Sequence, residues 1–251
     1  FENQALRQAI QQAQTNHTKL HLISMLTSGN VHASTEHLYA MLELCKRSGL
    51  SKEVFVHVIL DGRDCGYNTG EGFVAELEKK MTALKVGAIA SVSGRFYAMD
   101  RDNRCERVEA AYRAIGQGIA PRTAENASAA VAAAYAEKNY DEEFIPTVIT
   151  KRGVPVATVA AGDAVVFLNF RPDRARELTK AFVLPGFNKF EREYIRDLFF
   201  VTMMEYERDL PVVVAYAPVV VRNSLAETVA AAGLKQFHAA ETEKYAHVTF
   251  F

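Results

Sequence analysis

The sequence predicts an α/β fold: a three-layer α/β/α domain built around a mostly parallel sheet. Two apolar runs, Leu20–Leu26 and Val54–Leu60, are too short for core helices and have the composition of buried strands. Each is followed by a segment with apolar residues at helical spacing, residues 35–47 and 69–84. Because strands that alternate with helices form parallel sheets covered on both faces, this alternation predicts the three layers.

The remaining elements continue the alternation. The predicted helices cover residues 5–14, 35–47 (capped by Ser34 or Thr35), 69–84, 104–115, 126–137 and 224–232. The predicted strands cover residues 20–26, 54–60, 87–92, 144–149, 165–170, 198–203 and 212–216, with a strand-like run at 235–240. Gly153 and Pro155 indicate a hairpin or irregular excursion over residues 151–158.

Composition excludes several classes of function. The 251 residues are 49% hydrophobic with a net charge of −1, which allows a large core and argues against non-specific nucleic-acid binding. No run approaches the roughly 20 apolar residues of a membrane span, and residues 1–14 lack a signal-peptide pattern. We therefore expect a cytoplasmic protein without membrane or nucleic-acid partners. Cys45, Cys65 and Cys105 are odd in number and far apart, which predicts reduced thiols.

The ends and one internal break indicate how the chain is divided. It begins in a helical pattern without an initiator Met, and residues 246–251 form a strand-like run with no turn after it. Such a strand needs partners from elsewhere, which suggests a piece of a longer protein. A break near Ala217 and Pro218 separates a domain of residues 1–216 from a tail of residues 217–251.

The stretch VVFLNFRPDRAR, residues 165–176, carries the first functional signal. Its apolar run predicts a buried strand, and Pro172 predicts that a helix starts near Arg171. Arg171 and Arg174 then share the first turn, where acidic residues are normally favoured and only Asp173 offsets them. Two guanidinium groups beside free helix N–H groups predict an anion site. The alternative is a pair of solvated arginines.

Other charged side chains follow the carboxyl ends of the neighbouring predicted strands, where α/β sheets bind ligands. Together these loops contribute His32, Arg63, Asp64, Arg95, Arg101, Arg171 and Arg174. Five arginines and no lysine suit bidentate contacts to carboxylates and phosphates, so we expect a small ligand with more than one anionic group. Asp64 could act as a base on a hydroxyl, and His32 could exchange a proton near neutral pH.

Each of these residues also has a structural explanation. The acidic residues in the loops that follow the predicted strands 54–60 and 87–92 could simply pair with neighbouring arginines at the surface. A lone histidine in a loop is more often structural than catalytic. The sequence has no cluster with metal-ligand spacing and no Walker loop, and Ser93 and Gly94 lack the rest of a nucleophile elbow. Phosphate chemistry at these arginines therefore has no evident nucleophile in this chain.

Five stretches, in order and spacing, resemble the cofactor-independent phosphoglycerate mutases. They are LHLISMLTSGNVHAS, VFVHVILDGRD, ASVSGRFYAMDRDNRCERVEAAY, VVFLNFRPDRARELT and AETEKYAHVTFF. The resemblance spans nearly the whole chain, and SGRFYAMDRD and NFRPDRAR are long and distinctive. The chain departs from the family pattern at residues 27–34 and 65–67.

The resemblance implies a transferase domain inserted into a metal-dependent, phosphatase-like domain, with residues 217–251 starting the return to the latter. A serine there takes the phosphoryl group from 3-phosphoglycerate and returns it to give 2-phosphoglycerate, a step of glycolysis and gluconeogenesis. The serine and the ligands of two Mn²⁺ ions are expected outside this chain. The implied substrate contacts are His32, Arg63, Asp64, Arg95, Arg101, Arg171, Arg174 and Lys244.

The resemblance also implies individual roles. Asp64 is the base when the phosphoryl group is added back, His32 is the second catalytic residue, the arginines hold carboxylate and phosphate, and Lys244 lies against the phosphoryl group. The leading hypothesis is a monomeric substrate-binding domain of a mutase, inactive without the missing phosphatase-like domain. The alternative is a non-enzymatic binding module for a small organic phosphate or dicarboxylate, because the same arginines would serve it.

Overall fold

The computed structural model describes residues 1–219, 221–241, 244 and 248. The chain divides into two compact units, Phe1–Ala217 and Pro218–Phe251. In the first unit the helices are α1 Gln4–Asn16, α2 Thr35–Arg47, α3 Gly70–Leu84, α4 Arg95–Ala98, α5 Cys105–Tyr112, α6 Ala127–Ala136 and α7 Arg176–Val183. A π-helical turn, Arg113–Gln117, continues α5.

One sheet runs through the first unit. Its strands are β1 Leu20–Leu26, β2 Val54–Leu60, β3 Ala88–Gly94, β4 Arg122–Ala124, β5 Thr147–Lys151, β6 Val154–Pro155, β7 Ala164–Phe167, β8 Phe199–Thr202 and β9 Val213–Val214. Their order is β4-β5-β3-β2-β1-β7-β8-β9, and β6 pairs with β5. The pairs β3–β5 and β5–β6 are antiparallel, whereas the other pairs are parallel.

Both faces of the sheet are covered, as alternating side chains require. Leu22 and Val56 belong to one core, which also contains buried residues of α1, α2, α3 and α6. Ile23 and Ile59 belong to a second core on the opposite face, with buried residues of α5 and α7. The predicted three-layer α/β/α fold with a mostly parallel sheet is therefore confirmed.

Several element boundaries differ from the predictions. The strand predicted at residues 144–149 lies at Thr147–Lys151, and β3 extends to Gly94 and leads directly into α4. The sequence did not predict β4, because three residues with alternating polarity give too short a pattern. The predicted hairpin is confirmed as the β5–β6 pair. Neither predicted cap hydroxyl caps α2, because the Thr35 hydroxyl instead donates to the carbonyl of Thr27.

The second unit contains α8, Leu225–Ala231, which confirms the helix predicted at 224–232. Ser224 caps it: its hydroxyl accepts from the backbone N–H of Glu227, and the Glu227 carboxylate accepts from the backbone N–H of Ser224. The strand predicted at 235–240 is wrong, because these residues are exposed and have no strand conformation, and no strand among the described residues pairs with them. No helix among the described residues is long and apolar enough to cross a membrane.

A row of buried polar side chains crosses the central strands. Ser91 Oγ lies 2.8 Å from His57 Nδ1, His57 Nε2 lies 3.0 Å from His21 Nδ1, and His21 Nε2 lies 3.2 Å from an oxygen of Asp163. A carboxylate only accepts, so one donor order satisfies the row: Ser91 donates to His57, His57 to His21, and His21 to Asp163. Both imidazoles are then neutral, and burial accordingly lowers the pKa of each.

Candidate functional site

The candidate site lies at one edge of the sheet, where the parallel strands β1, β2, β3 and β7 end. The segments that follow these strands are residues 27–34, 61–69, 95–104 and 168–175. They pack closely: a Cβ on Gly29 would lie 2.4 Å from the carbonyl oxygen of Asp64. Only glycine therefore lets the first two segments approach to this distance.

Asp61 holds the second segment in shape. It is buried, and one carboxylate oxygen accepts from the Thr27 hydroxyl at 2.5 Å. The other oxygen accepts from the backbone N–H groups of Arg63 and Asp64 at 3.2 and 3.1 Å. Burial alone would raise the pKa of Asp61, but these hydrogen bonds and the Arg95 guanidinium hold it below its usual value.

Arg95 joins the second and third segments. Its side chain is only 4% exposed, and Nη1 donates to Asp61 at 2.5 Å and to Asp64 at 2.7 Å. Burial alone would lower the pKa of Arg95, but the two carboxylates raise it above its usual value. A buried guanidinium held by two carboxylates is rigid, so Arg95 fixes the position of Asp64.

Asp173 joins the third and fourth segments. Its carboxylate accepts from Arg101 Nη1 at 3.1 Å and from Arg171 Nε at 3.0 Å. It also lies 3.7 Å from Nδ1 of His32. Burial would raise the pKa of Asp173, but Arg171, His32 and Arg101 hold it below its usual value. One carboxylate therefore orients two of the five arginines.

His32 lies between the two acidic side chains. Its Nε2 is 3.9 Å from Asp64, and its buried Nδ1 has no hydrogen-bond partner among the described residues. Burial, followed by the positive charges of Arg95 and Arg171, lowers the pKa of His32 to about 4. This environment favours a neutral imidazole at pH 7. Proton exchange by His32 near neutral pH stays a prediction.

Arg174 shows that the cationic groups converge. Its Nη1 donates to the carbonyl of Met99 at 3.1 Å. Burial lowers the pKa of Arg174, and the positive charges of Arg101, Arg95 and Arg63 lower it further. Arg63 is the most exposed, with a 54% exposed side chain 3.4 Å from the carboxylate of Glu142. Guanidinium groups from three segments thus repel one another at one edge, a cost that an anion would relieve.

The predicted helix start at Arg171 is wrong. Helix α7 begins at Arg176, and the preceding residues form a turn in which the Ala175 N–H donates to the Pro172 carbonyl at 3.1 Å. The backbone N–H of Arg171 is instead directed at the carbonyl of His32, 3.3 Å away. The two arginines therefore do not share the first turn of a helix, and the argument for an anion site rests on convergence of the segments rather than on a helix N-terminus.

Lys244 lies in the second unit, where its backbone N–H donates to the carbonyl of Glu241 at 2.9 Å. Most of the stretch AETEKYAHVTFF lies outside the described residues, including all of 245–247 and 249–251. The structure therefore brings together seven of the eight predicted site residues, and Lys244 remains a prediction.

Two supporting residues escaped the sequence analysis. Asn169 is fully buried: its Oδ1 accepts from the backbone N–H of Met25 at 3.1 Å, and its Nδ2 lies 3.6 Å from the sulfur of Met99. The buried hydroxyl of Tyr206 donates to the carbonyl of Asn169. An amide inside the apolar run VVFLNF was the only available signal for Asn169. Nothing near Tyr206 in the sequence indicates its role.

The structure has a cavity beside the site and a larger one away from it. A cavity of about 380 Å³ adjoins Arg101 and Asp173. A larger one of about 930 Å³ lies at the opposite edge of the sheet, lined by Lys52 and Val154 among others, and away from the arginines. Within the described part of the chain, no three His, Cys, Asp or Glu side chains form a group that could hold a metal ion.

Comparison with known proteins identifies the family to which the chain belongs. The family model described as BPG-independent PGAM N-terminus (iPGM_N) matches residues 1–208. The 2,3-bisphosphoglycerate-independent phosphoglycerate mutase of Clostridium perfringens is 50% identical over 252 residues, which cover 100% of this chain and 49% of that protein. The enzyme of the same name from Chloroflexus aurantiacus is 47% identical over 273 residues, 100% of this chain and 50% of that protein.

A solved structure of a phosphoglycerate mutase has a similar fold. The structure of Leishmania mexicana phosphoglycerate mutase at low cobalt concentration has a TM-score of 0.88 and 32% sequence identity, and the match covers 98% of this chain and 47% of that one. The chain spans about half the length of the curated relatives it matches. It belongs to the family of BPG-independent phosphoglycerate mutases, of which it contains the N-terminal portion.

Proposed function

We propose that this chain is the substrate-binding, transferase portion of a phosphoglycerate mutase that interconverts 3-phosphoglycerate and 2-phosphoglycerate. The observation that supports it best is the convergence of guanidinium groups around Arg174, whose pKa is lowered by burial and then by three other arginines. A three-carbon acid with a carboxylate and a phosphate offers two anionic groups for such a cluster. The proposed reaction comes from the activity that the names of the matched relatives state.

The side chains divide into groups with different tasks. Arg63, Arg101, Arg171 and Arg174 hold the carboxylate and phosphate, and Arg95 keeps Asp64 in place. Asp64 is 23% exposed and accepts from Arg95 through Oδ2. Its Oδ1 faces no hydrogen-bond partner among the described residues, and we assign it to the substrate hydroxyl as general base. We assign neutral His32 a hydrogen bond to the substrate, and its buried Nδ1 has no hydrogen-bond partner among the described residues.

The phosphoryl transfer itself needs groups beyond these residues. We propose a serine nucleophile and two Mn²⁺ ions in a phosphatase-like domain of the same polypeptide, with residues 1–216 as the transferase domain and residues 217–251 leading back. Lys244 is assigned to the phosphoryl group. We expect a cytoplasmic monomer that acts in glycolysis and gluconeogenesis, and an inactive chain when it stands alone.

Binding of 3-phosphoglycerate to the chain tests the site. In isothermal titration calorimetry, Arg171→Ala should weaken binding roughly tenfold or more, because a charge-assisted hydrogen bond contributes about 1.5–3 kcal/mol. Arg122→Ala is the matched control, since Arg122 pairs with Glu137 at 2.6 Å on the edge strand β4. Equal affinities of the wild-type chain and Arg171→Ala would contradict the assignment.

A second experiment tests the reaction. The chain combined with the phosphatase-like half of a relative should isomerise 3-phosphoglycerate, and Asp64→Asn should abolish this activity while binding persists. Phosphate binding without isomerisation in the combined protein would instead favour a binding module for a small organic phosphate or dicarboxylate.

A further inference from the structure

A short segment, residues 141–144, contacts both segments that carry Arg63 and Arg95; we call it the brace. Its backbone forms three hydrogen bonds with them. The Asp141 N–H donates to the Tyr67 carbonyl at 3.2 Å, the Phe96 N–H donates to the Glu142 carbonyl at 2.9 Å, and the Gly94 N–H donates to the Phe144 carbonyl at 2.8 Å. The brace therefore spans the gap between the end of β3 and the segment after β2.

The Asp141 side chain also attaches the brace to the start of α3. It is buried, and one carboxylate oxygen accepts from the backbone N–H groups of Thr69 and Gly70 at 2.9 and 2.8 Å. The other oxygen accepts from the Tyr135 hydroxyl. The Thr69 side chain does not cap α3, so Asp141 satisfies the first N–H groups of that helix from elsewhere in the chain. This fixes the point at which the segment after β2 turns into α3.

Two glycines allow the brace to approach so closely. Gly62 has φ of +71°, and a Cβ there would lie 2.6 Å from the backbone nitrogen of Glu142. A Cβ on Gly94 would lie 2.3 Å from the Glu142 carbonyl oxygen. Gly62 lies in the segment after β2 and Gly94 is the last residue of β3, so the backbones on both sides approach Glu142 of the brace closely.

Aromatic rings cover the same junction from outside. Tyr67 and Tyr140 are edge to face with their centroids 4.9 Å apart, and Tyr140 packs on Tyr135 at 5.6 Å. Tyr135 in turn donates to Asp141. The rings therefore connect the segment after β2 to the brace independently of the backbone hydrogen bonds.

We propose that the brace is a positioning segment in which Asp141 sets the distance between Arg63 and Arg95, and with it the affinity of the site for a phosphate-bearing acid. This inference deepens the proposed function and rests on it. Asp141 does not touch the ligand. It holds the second and third segments in register, and Arg63 and Asp64 are displaced when its hydrogen bonds are lost.

The test compares Asp141→Ala with a matched control, Asp163→Ala, in titrations with 3-phosphoglycerate. Asp163 is also buried and also accepts from two backbone N–H groups, those of Lys19 and Ala160 at 2.9 and 2.8 Å, but at the opposite edge of the sheet. We expect Asp141→Ala to raise Kd at least about tenfold, because a displaced Arg63 loses charge-assisted hydrogen bonds to the anion. The control should stay within about twofold of wild type although it also loses stability.

Hydrogen exchange supplies a readout that is independent of the ligand. In Asp141→Ala the amides of Gly94 and Phe96 should exchange faster together with those of Thr69 and Gly70. Faster exchange at Thr69 and Gly70 alone, with an unchanged Kd, would mean that Asp141 only caps α3, and the proposal would be overturned. Should Asp141→Ala not fold, Asp141→Asn keeps an acceptor oxygen and is measured in the same way.

The two proposals fail differently. If wild-type chain binds 3-phosphoglycerate and Asp141→Ala binds equally well, the positioning role is lost and the proposed function stands. If the wild-type chain does not bind, the proposed function is lost, and the exchange pattern alone decides whether the brace couples the two segments.

Discussion

The buried row from Ser91 to Asp163 predicts that acid destabilises the fold well above the pH at which carboxylates titrate. His57 is fully enclosed and its pKa is well below the usual value, chiefly because of burial. His32, with a pKa of about 4, adds a second site of the same sign. In the unfolded chain both histidines take up protons near pH 6.5, whereas in the folded protein they do not. The unfolded state therefore binds more protons, and stability falls as the pH falls below about 6.5.

The magnitude follows from the linkage relation. A histidine with an unfolded pKa of about 6.5 that stays neutral when folded loses about 2 kcal/mol of stability between pH 8 and pH 5. His57 and His32 together give about 4 kcal/mol, with a slope of roughly 1.4 kcal/mol per pH unit per site. His21, whose pKa is lowered by burial against the opposing effect of Asp163, adds to the same change.

Urea denaturation followed by circular dichroism at several pH values between 8 and 5 measures this change, since the chain has no tryptophan to report by fluorescence. Below pH 6, His57→Gln should reduce the slope of the unfolding free energy against pH by roughly 1.4 kcal/mol per pH unit, which corresponds to one proton. His17→Asn is the control: His17 is exposed in a left-handed conformation that asparagine tolerates. A free energy of unfolding that is the same or higher at pH 5 than at pH 8 would refute the reasoning.

Three further predictions concern the site. Arg95→Lys should weaken 3-phosphoglycerate binding in calorimetry, because the shorter lysine side chain cannot place its ammonium group where Nη1 of Arg95 donates to both Asp61 and Asp64; unchanged binding would count against Arg95 as the anchor. Tyr206→Phe should lower the urea-derived free energy of unfolding by about 1–3 kcal/mol, since it removes the hydroxyl that donates to the buried carbonyl of Asn169, and a neutral result would contradict this. Gly29→Ala should reduce binding and also lower thermal stability, because its Cβ would clash with the Asp64 backbone and displace it; wild-type affinity would argue against that displacement.

The sequence predicted the central strands better than their surroundings. β1 and β2 match the predicted residues because strands buried on both faces read as nearly continuous apolar runs, here interrupted only by His21, Ser24 and His57. β4 escaped because its few residues carry no such pattern. The start of α7 was misplaced because the carbonyl of His32, a tertiary partner, and the carboxylate of the neighbouring Asp173 hold Arg171 in an irregular turn.

The candidate site was accessible from sequence only through topology. Parallel strands bring their carboxyl ends to one edge, so segments distant in sequence were expected to meet there. The role of Asp173 was not accessible in this way, since its partner Arg101 lies 72 residues away in sequence and nothing local indicates the pairing. The neutral state of His32 depends on burial and on two arginines from other segments, and neither can be deduced from neighbouring residues.

The place of β1 in the sheet has a consequence for synthesis on the ribosome. Leu20 pairs on one side with Val54 but on the other with Ala164, which is translated much later. Until β7 has left the exit tunnel, one flank of the nascent LHLISML strand stays open to pairing with other chains. We expect the nascent chain to depend on chaperones that bind unfolded segments. The yield of native protein should rise when translation is slowed or the growth temperature is lowered.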